Sequence, residues 1–221
     1  TVSVIDIESL TVTSTIQLSG ENAAAGGVGT DGRLYIVNSG SFGGANGSLS
    51  VVDLTGLTEV QHHPGFGDGP GSLALGPSAR AFIGAFSYGV AVWNTSLDAF
   101  ILGPAEALAP GGVPSTSGWG FDDAGRLCTL TPNCQEPSTA NRHDGSFEVD
   151  CTIPVGICPF AIAFTAIEAG SGRRWWASDS PSGELGLIQL RHRRENGLVR
   201  GPDPEVGLDE LPLHDALFVD D

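Results

Sequence analysis

The sequence predicts an all-β fold, a β-propeller of four-stranded blades, and three observations predict it. A strand–turn–arginine–strand pattern recurs at nearly constant spacing. The apolar runs, such as "FAIAF" and "LSVVDL", are strand-sized. Glycine (32) and proline (14) are spread between these runs and are too frequent for long helices. A chain of 221 residues can form one large all-β domain or two small ones. At this size roughly 70% of the unfolded surface is buried on folding.

The first half of each unit reads alike in four places. "GVGTDGRLYIVNSG" starts at Gly27, "LALGPSARAFIGAF" at Leu73, "WGFDDAGRLCTLTP" at Trp119 and "IAFTAIEAGSGRRWWASD" at Ile162. Each is an apolar strand, a polar turn, an arginine and a second apolar strand. Arg33, Arg80, Arg126 and Arg174 are 47, 46 and 48 residues apart. The second half repeats as a strand ending in a polar residue. "VSVIDIESL" at Val2, "LSVVDLTGL" at Leu49, "VAVWNTSL" at Val90, "FEVDCTI" at Phe147 and "LGLIQLRHR" at Leu185 carry Asp6, Asp53, Asn94, Asp150 and Gln189 there. A further short strand follows in the first four, such as "TVTSTIQLS" and "DAFILG". One unit is therefore four strands in about 46 residues, the size of a propeller blade. Small apolar residues suit strands near the axis, and alternation suits outer strands.

The whole chain, 1–221, is expected to be a single propeller of about five blades or a fragment of a larger one. Residues 1–19 supply a third and a fourth strand only. The end, "LPLHDALFVDD", reads as a first strand with its turn. Two arrangements stay open: residues 1–19 share a blade with 205–221 and close a ring, or the chain belongs to a longer propeller. An unpaired strand edge recruits partners in either case. The chain starts at Thr1 with no methionine and no signal-peptide pattern, so it reads as a processed or trimmed product.

"VSVIDIESLTVTSTIQLSG", "CTIPVGICPFAIAFT" and "TDGRLYIVN" together resemble the YVTN-type, surface-layer-like β-propeller repeat. The resemblance covers nearly the whole chain and weakens in the third unit. It implies a propeller of the kind found on bacterial and archaeal cell surfaces, and no particular reaction. Some relatives of this class are lactonases or carry chemistry in the central channel. Here the channel positions near Val28, Leu73, Trp119, Ile162 and Leu217 are mostly apolar, and no G-x-S-x-G elbow is present.

Cys128, Cys134, Cys151 and Cys158 lie in one stretch. With Cys128 early in a second strand and Cys151 late in the adjacent third, the expected disulfides are Cys128–Cys151 and Cys134–Cys158. The second would pin an insertion at residues 131–146. Zinc is the competing reading, but it favours closer ligand pairs than C-x5-C and C-x6-C, and His143 is the only nearby imidazole. Disulfides imply an oxidising, extracellular or periplasmic setting. "NGS" at Asn46 and "NTS" at Asn94 are candidate glycan acceptors.

The remaining candidates each have a plain structural alternative. His62 and His63 sit in "QHHPGFGDGPG" near Asp68, but neighbours on a strand face opposite sides. Asp122, Asp123, Asp220 and Asp221 are weak calcium candidates, since aspartate also favours turns by itself. Trp175 and Trp176 either pack in the core or leave one ring to stack on a sugar or partner. Arg191, Arg193 and Arg194 form a basic knot suited to a contact between subunits, or a solvated strand end. A net charge of −16 repels phosphate backbones and argues against nucleic acid. No apolar run approaches the roughly 20 residues of a membrane span. The expected role is a secreted or cell-surface, non-enzymatic structural or interaction module, binding protein and able to self-assemble, with no cofactor beyond that weak calcium. The alternative is a lactonase-like enzyme, or a small-ligand or metal binder, using the channel.

Overall fold

The computed structural model describes residues 1–109, 118–122, 125–131, 137–157, 159–165, 173–179 and 185–190. The chain divides into two compact units, Thr1–Thr116 and Ser117–Asp221. Among the described residues every regular element is a β-strand except one 3-10 turn, Pro104–Glu106.

The first unit holds three sheets of consecutive antiparallel strands. Strands β1 (Val2–Asp6) and β2 (Thr11–Ile16) form a two-stranded sheet. Strands β3 (Ala23–Val28), β4 (Arg33–Asn38), β5 (Ser48–Asp53) and β6 (Thr58–Pro64) form the second sheet in that order. Strands β7 (Pro70–Gly76), β8 (Arg80–Ala85), β9 (Gly89–Asn94) and β10 (Ala99–Leu102) form the third. In the second unit, β11 (Trp119–Phe121), β12 (Leu127–Thr131), β13 (Pro137–His143) and β14 (Val149–Ile157) make the fourth sheet. Strands β15 (Pro159–Thr165), β16 (Arg173–Asp179) and β17 (Leu185–Leu190) pair as a fifth.

Burial between successive sheets holds the first unit together. Strand β4 is buried on both faces, so its side chains divide by parity. Tyr35 and Val37 join Val51, Ala81, Ile83 and Trp93 in the core between the second and third sheets. Ile36 turns the other way and packs with Ile16 and Val52, flanked by Val2 and Val4 of the first sheet. Each fully buried aliphatic side chain contributes about 1.5–3 kcal/mol. First strands meet: β3 lies against β7, and β11 against β15. Small residues permit the closer approach. A Cβ on Gly27 would stand 3.3 Å from Leu75 Cδ1 and 3.9 Å from Leu73 Cδ2.

Strand β6 alternates between exposed and half-buried positions along its whole length, as expected of an outer strand. A bulge at Val60 makes it serve both neighbours: Val51 opposes Gln61, while Val52 opposes Glu59. Glu59 accepts bonds from Ser19 N (2.8 Å) and Oγ (2.6 Å) on the first-sheet side. Gln61 Nε2 donates to Asp98 Oδ2 (2.8 Å) on the third-sheet side.

The repeat seen in the sequence has a turn as its physical basis. Arg33 and Arg80 open β4 and β8, Arg126 immediately precedes β12, and Arg174 is the second residue of β16. The polar residue closing the third strand caps the next hairpin. Asp6 accepts from Ser9 N, Asp53 from Thr55 N and Gly56 N, and Asn94 from Ser96 N and Leu97 N.

The third repeat departs from expectation. Its third strand is Pro137–His143, within the stretch expected to be an insertion, and "FEVDCTI" runs into the fourth strand. Asp144, not Asp150, holds the capping place, accepting from Ser146 N and Glu148 N. Asp150 instead makes a two-pronged pair with Arg142, at 2.7 Å and 3.1 Å.

Candidate functional site

The shifted strand also overturns the expected Cys128–Cys151 disulfide. Both thiols are free. Cys128 opposes Arg142, and Arg142 opposes Cys151, so β13 runs between the two cysteines. Two strand spacings separate them by about 10 Å, beyond the reach of an S–S bond. Cys134 and Cys158 lie outside the described residues.

The sequon asparagines both organise turns. Asn46 is exposed, and its Oδ1 accepts from Ser41 N (2.9 Å) and Ser41 Oγ (3.1 Å). Asn94 is half-buried, with its Oδ1 on the hairpin amides named above. The calcium candidate Asp122 is buried and already engaged. Its Oδ1 accepts from Arg126 N (2.9 Å), and its Oδ2 lies 2.6 Å from Arg126 Nη2. Asp123, Asp220 and Asp221 lie outside the described residues, as do Arg191, Arg193 and Arg194. Trp175 and Trp176 lie on β16, in register with Ile188 and Leu187 of β17. His62 and His63 take opposite sides of β6: His62 is exposed, and the His63 ring tilts on Trp93 at 4.9 Å. Of the channel candidates, Val28 is exposed, Leu73 half-buried and Trp119 buried. Ile162 is on β15, and Leu217 lies outside the described residues.

Two apolar surfaces stand out instead, neither anticipated from the sequence. The first is the outer face of the two-stranded sheet. Ile5 and Val12 are directly paired across the strands and are 56% and 59% exposed. Ile7 and Leu10, on the connecting turn, are more exposed still. The opposite face of the same sheet is covered by the second sheet, through Val2, Val4 and Ile16. The alternation in "VSVIDIESL" was visible, but not that, among the described residues, only one face would find a cover.

The second surface lies on the loops joining β4 to β5 and β8 to β9. Phe42 is fully exposed, at 102%, and Phe86 is 74% exposed. The Phe42 loop is nonetheless ordered by hydrogen bonds. Besides the Asn46 contacts, Gly44 N donates to Ser41 O (2.8 Å), and Gly43 N to Asp68 Oδ1 (2.8 Å). Gly40 adopts φ +69°, and a Cβ there would run into the Asn46 side chain. The only sequence signal was a lone phenylalanine in the glycine-rich "GSFGGANG".

No protein-family model matches the sequence. No curated protein matches it either. Solved structures do. Hydrazine synthase of Kuenenia stuttgartiensis aligns with a TM-score of 0.56 at 16% identity, over 84% of this chain and 59% of that one. An auxiliary nutrient binding protein from Bacteroides ovatus gives 0.50 at 11% identity, over 78% and 46%. The dihydro-heme d1 dehydrogenase NirN, in complex with DHE, gives 0.50 at 16% identity, over 70% and 33%. The chain thus spans less than two thirds of the length of each. At these identities the likeness shows the fold alone, an all-β and propeller-like arrangement of four-stranded antiparallel sheets.

Proposed function

We propose that the chain is a propeller of about five blades of the YVTN type. The protein acts outside the cell or at its surface as a non-enzymatic interaction module that associates with itself. The Ile5–Val12 pair carries this reading. A two-stranded sheet with one covered face leaves directly paired aliphatic side chains in water, and such exposed patches mark interaction sites. The −16 charge keeps the chain soluble around such a patch. A catalytic role would need polar groups converging in an open cleft. Among the described residues, one convergent polar group lies in the core instead. Asn38 Nδ2 donates to Ser48 Oγ (3.2 Å) and Ser50 Oγ (2.8 Å), and all three residues are within the core.

Light scattering across a concentration series tests the proposal. The expected result is a mass above the monomer for the native chain, and a lower mass at the same concentrations in Ile5→Lys/Val12→Thr. A native chain that stays monomeric throughout would overturn it.

A further inference from the structure

Phe42 and Phe86 share an anchor. Gly43 N, one residue after Phe42, donates to Asp68 Oδ1 at 2.8 Å. Ser87 Oγ, one residue after Phe86, donates to the Asp68 backbone carbonyl. Two exposed aromatic residues are thus each one position from a hydrogen bond to the same aspartate, on loops tied to it. Asp68 Oδ2 accepts no hydrogen bond among the described residues.

Exposed phenyl rings close in the chain to the partners of one carboxylate suit a guanidinium. The planar cation stacks on a ring through its face and donates in its plane to carboxylate oxygen. An ammonium ion would use the carboxylate but lose the stacking. The sequence itself contains a matching ligand. Residues 1–109 carry only Arg33 and Arg80 against nine Asp and Glu, whereas Arg191, Arg193, Arg194 and Arg200 crowd into ten residues with a single Glu195. Opposite charge on two stretches of one chain favours their meeting between copies.

We propose that the Phe42–Asp68–Phe86 surface binds the arginine-rich segment 191–200 of a second copy. The contact rests on the self-association reading above but uses a surface separate from Ile5 and Val12.

The test uses the full chain, its Phe42→Ala/Asp68→Asn variant, and a free peptide of residues 189–201. Both substituted side chains lie on loops, and asparagine can keep the bond from Gly43 N. The native chain is expected to self-associate less at high salt. The variant should associate about tenfold more weakly, the equivalent of about 1.4 kcal/mol. The peptide should bind the native chain, compete with assembly, and lose affinity for the variant by a similar factor. Assembly unchanged in the variant would overturn this proposal and leave self-association standing. A strictly monomeric native chain that still binds the peptide would overturn the second copy as occupant. A monomer that ignores the peptide would overturn the site altogether.

Discussion

The hydroxyl of Thr129 lies 3.0 Å from Nε2 of His143, joining β12 to β13 inside the fourth sheet. The other ring nitrogen, Nδ1, is 3.2 Å from the Phe147 carbonyl. A carbonyl only accepts, so Nδ1 carries the proton and Nε2 accepts from Thr129. Both contacts fit the neutral imidazole, and both residues are buried.

That arrangement makes stability depend on pH. Burial pushes the His143 pKa below its ordinary 6.5, outweighing the Phe147 carbonyl and the nearby Asp150 and Asp144. The unfolded chain therefore takes up a proton at a pH where the folded chain does not. His143 contributes stability that is complete above 6.5 and is lost as pH falls through the lower folded value. Urea unfolding across that window should show falling stability for the native chain and a flatter profile for His143→Gln. Equal slopes would refute the assignment.

Ala79 is strained by its place in a turn. Gly32 and Gly125 precede Arg33 and Arg126 with φ +77° and +72°. Ala79 holds the matching position before Arg80 with φ +54°. A left-handed residue with a Cβ costs about 1–2 kcal/mol, and the flexibility of glycine returns part of that. Ala79→Gly should stabilise by about 0.5–1 kcal/mol, read from thermal or urea unfolding. A loss of stability would show that the turn is held by something other than backbone preference.

Those turns explain how much was legible in the sequence. The 46-residue period is legible because Arg33 and Arg80 each follow a tight hairpin turn that tolerates few alternatives. Asp6, Asp53 and Asn94 were equally readable, since each is fixed by the amides it caps. Strand β13 was not. "PSTANRH" offers Ser138, Ala140 and Arg142 to one face and Thr139, Asn141 and His143 to the other, with no apolar run. A polar strand between two partners resembles a loop, so the alternation in "FEVDCTI" drew the assignment one strand too far. The disulfide expectation failed with it. The exposure of Phe42 and Phe86 depends on loop geometry that no periodicity encodes.

Gly27 sits where the first strands β3 and β7 pack together. A Cβ at 3.3 Å from Leu75 Cδ1 is already tight, and valine adds two more methyl groups in that space. Gly27→Val should cost about 1–3 kcal/mol by overpacking. Val28→Thr, next to it but exposed, should stay within about 0.5 kcal/mol of native. A tolerated valine at 27 would mean that β3 and β7 do not lie together as described.

The two free thiols should separate kinetically. Cys128 is fully buried in β12, and burial, reinforced by the charge of Asp122, pushes its pKa far up against the pull of Arg142 and Arg126. The thiolate is the reactive form, so Cys128 should resist alkylation in the folded chain. Cys151 is only half-buried on β14 and is reachable without unfolding. Brief treatment with iodoacetamide, then digestion and mass spectrometry, should find Cys151 labelled and Cys128 intact. Cys128 should label at the rate of global unfolding and appear promptly in urea. A Cys128–Cys151 linked peptide in the non-reduced digest would mean that β13 does not run between them. That result would return the third repeat to the strand assignment its sequence first suggested.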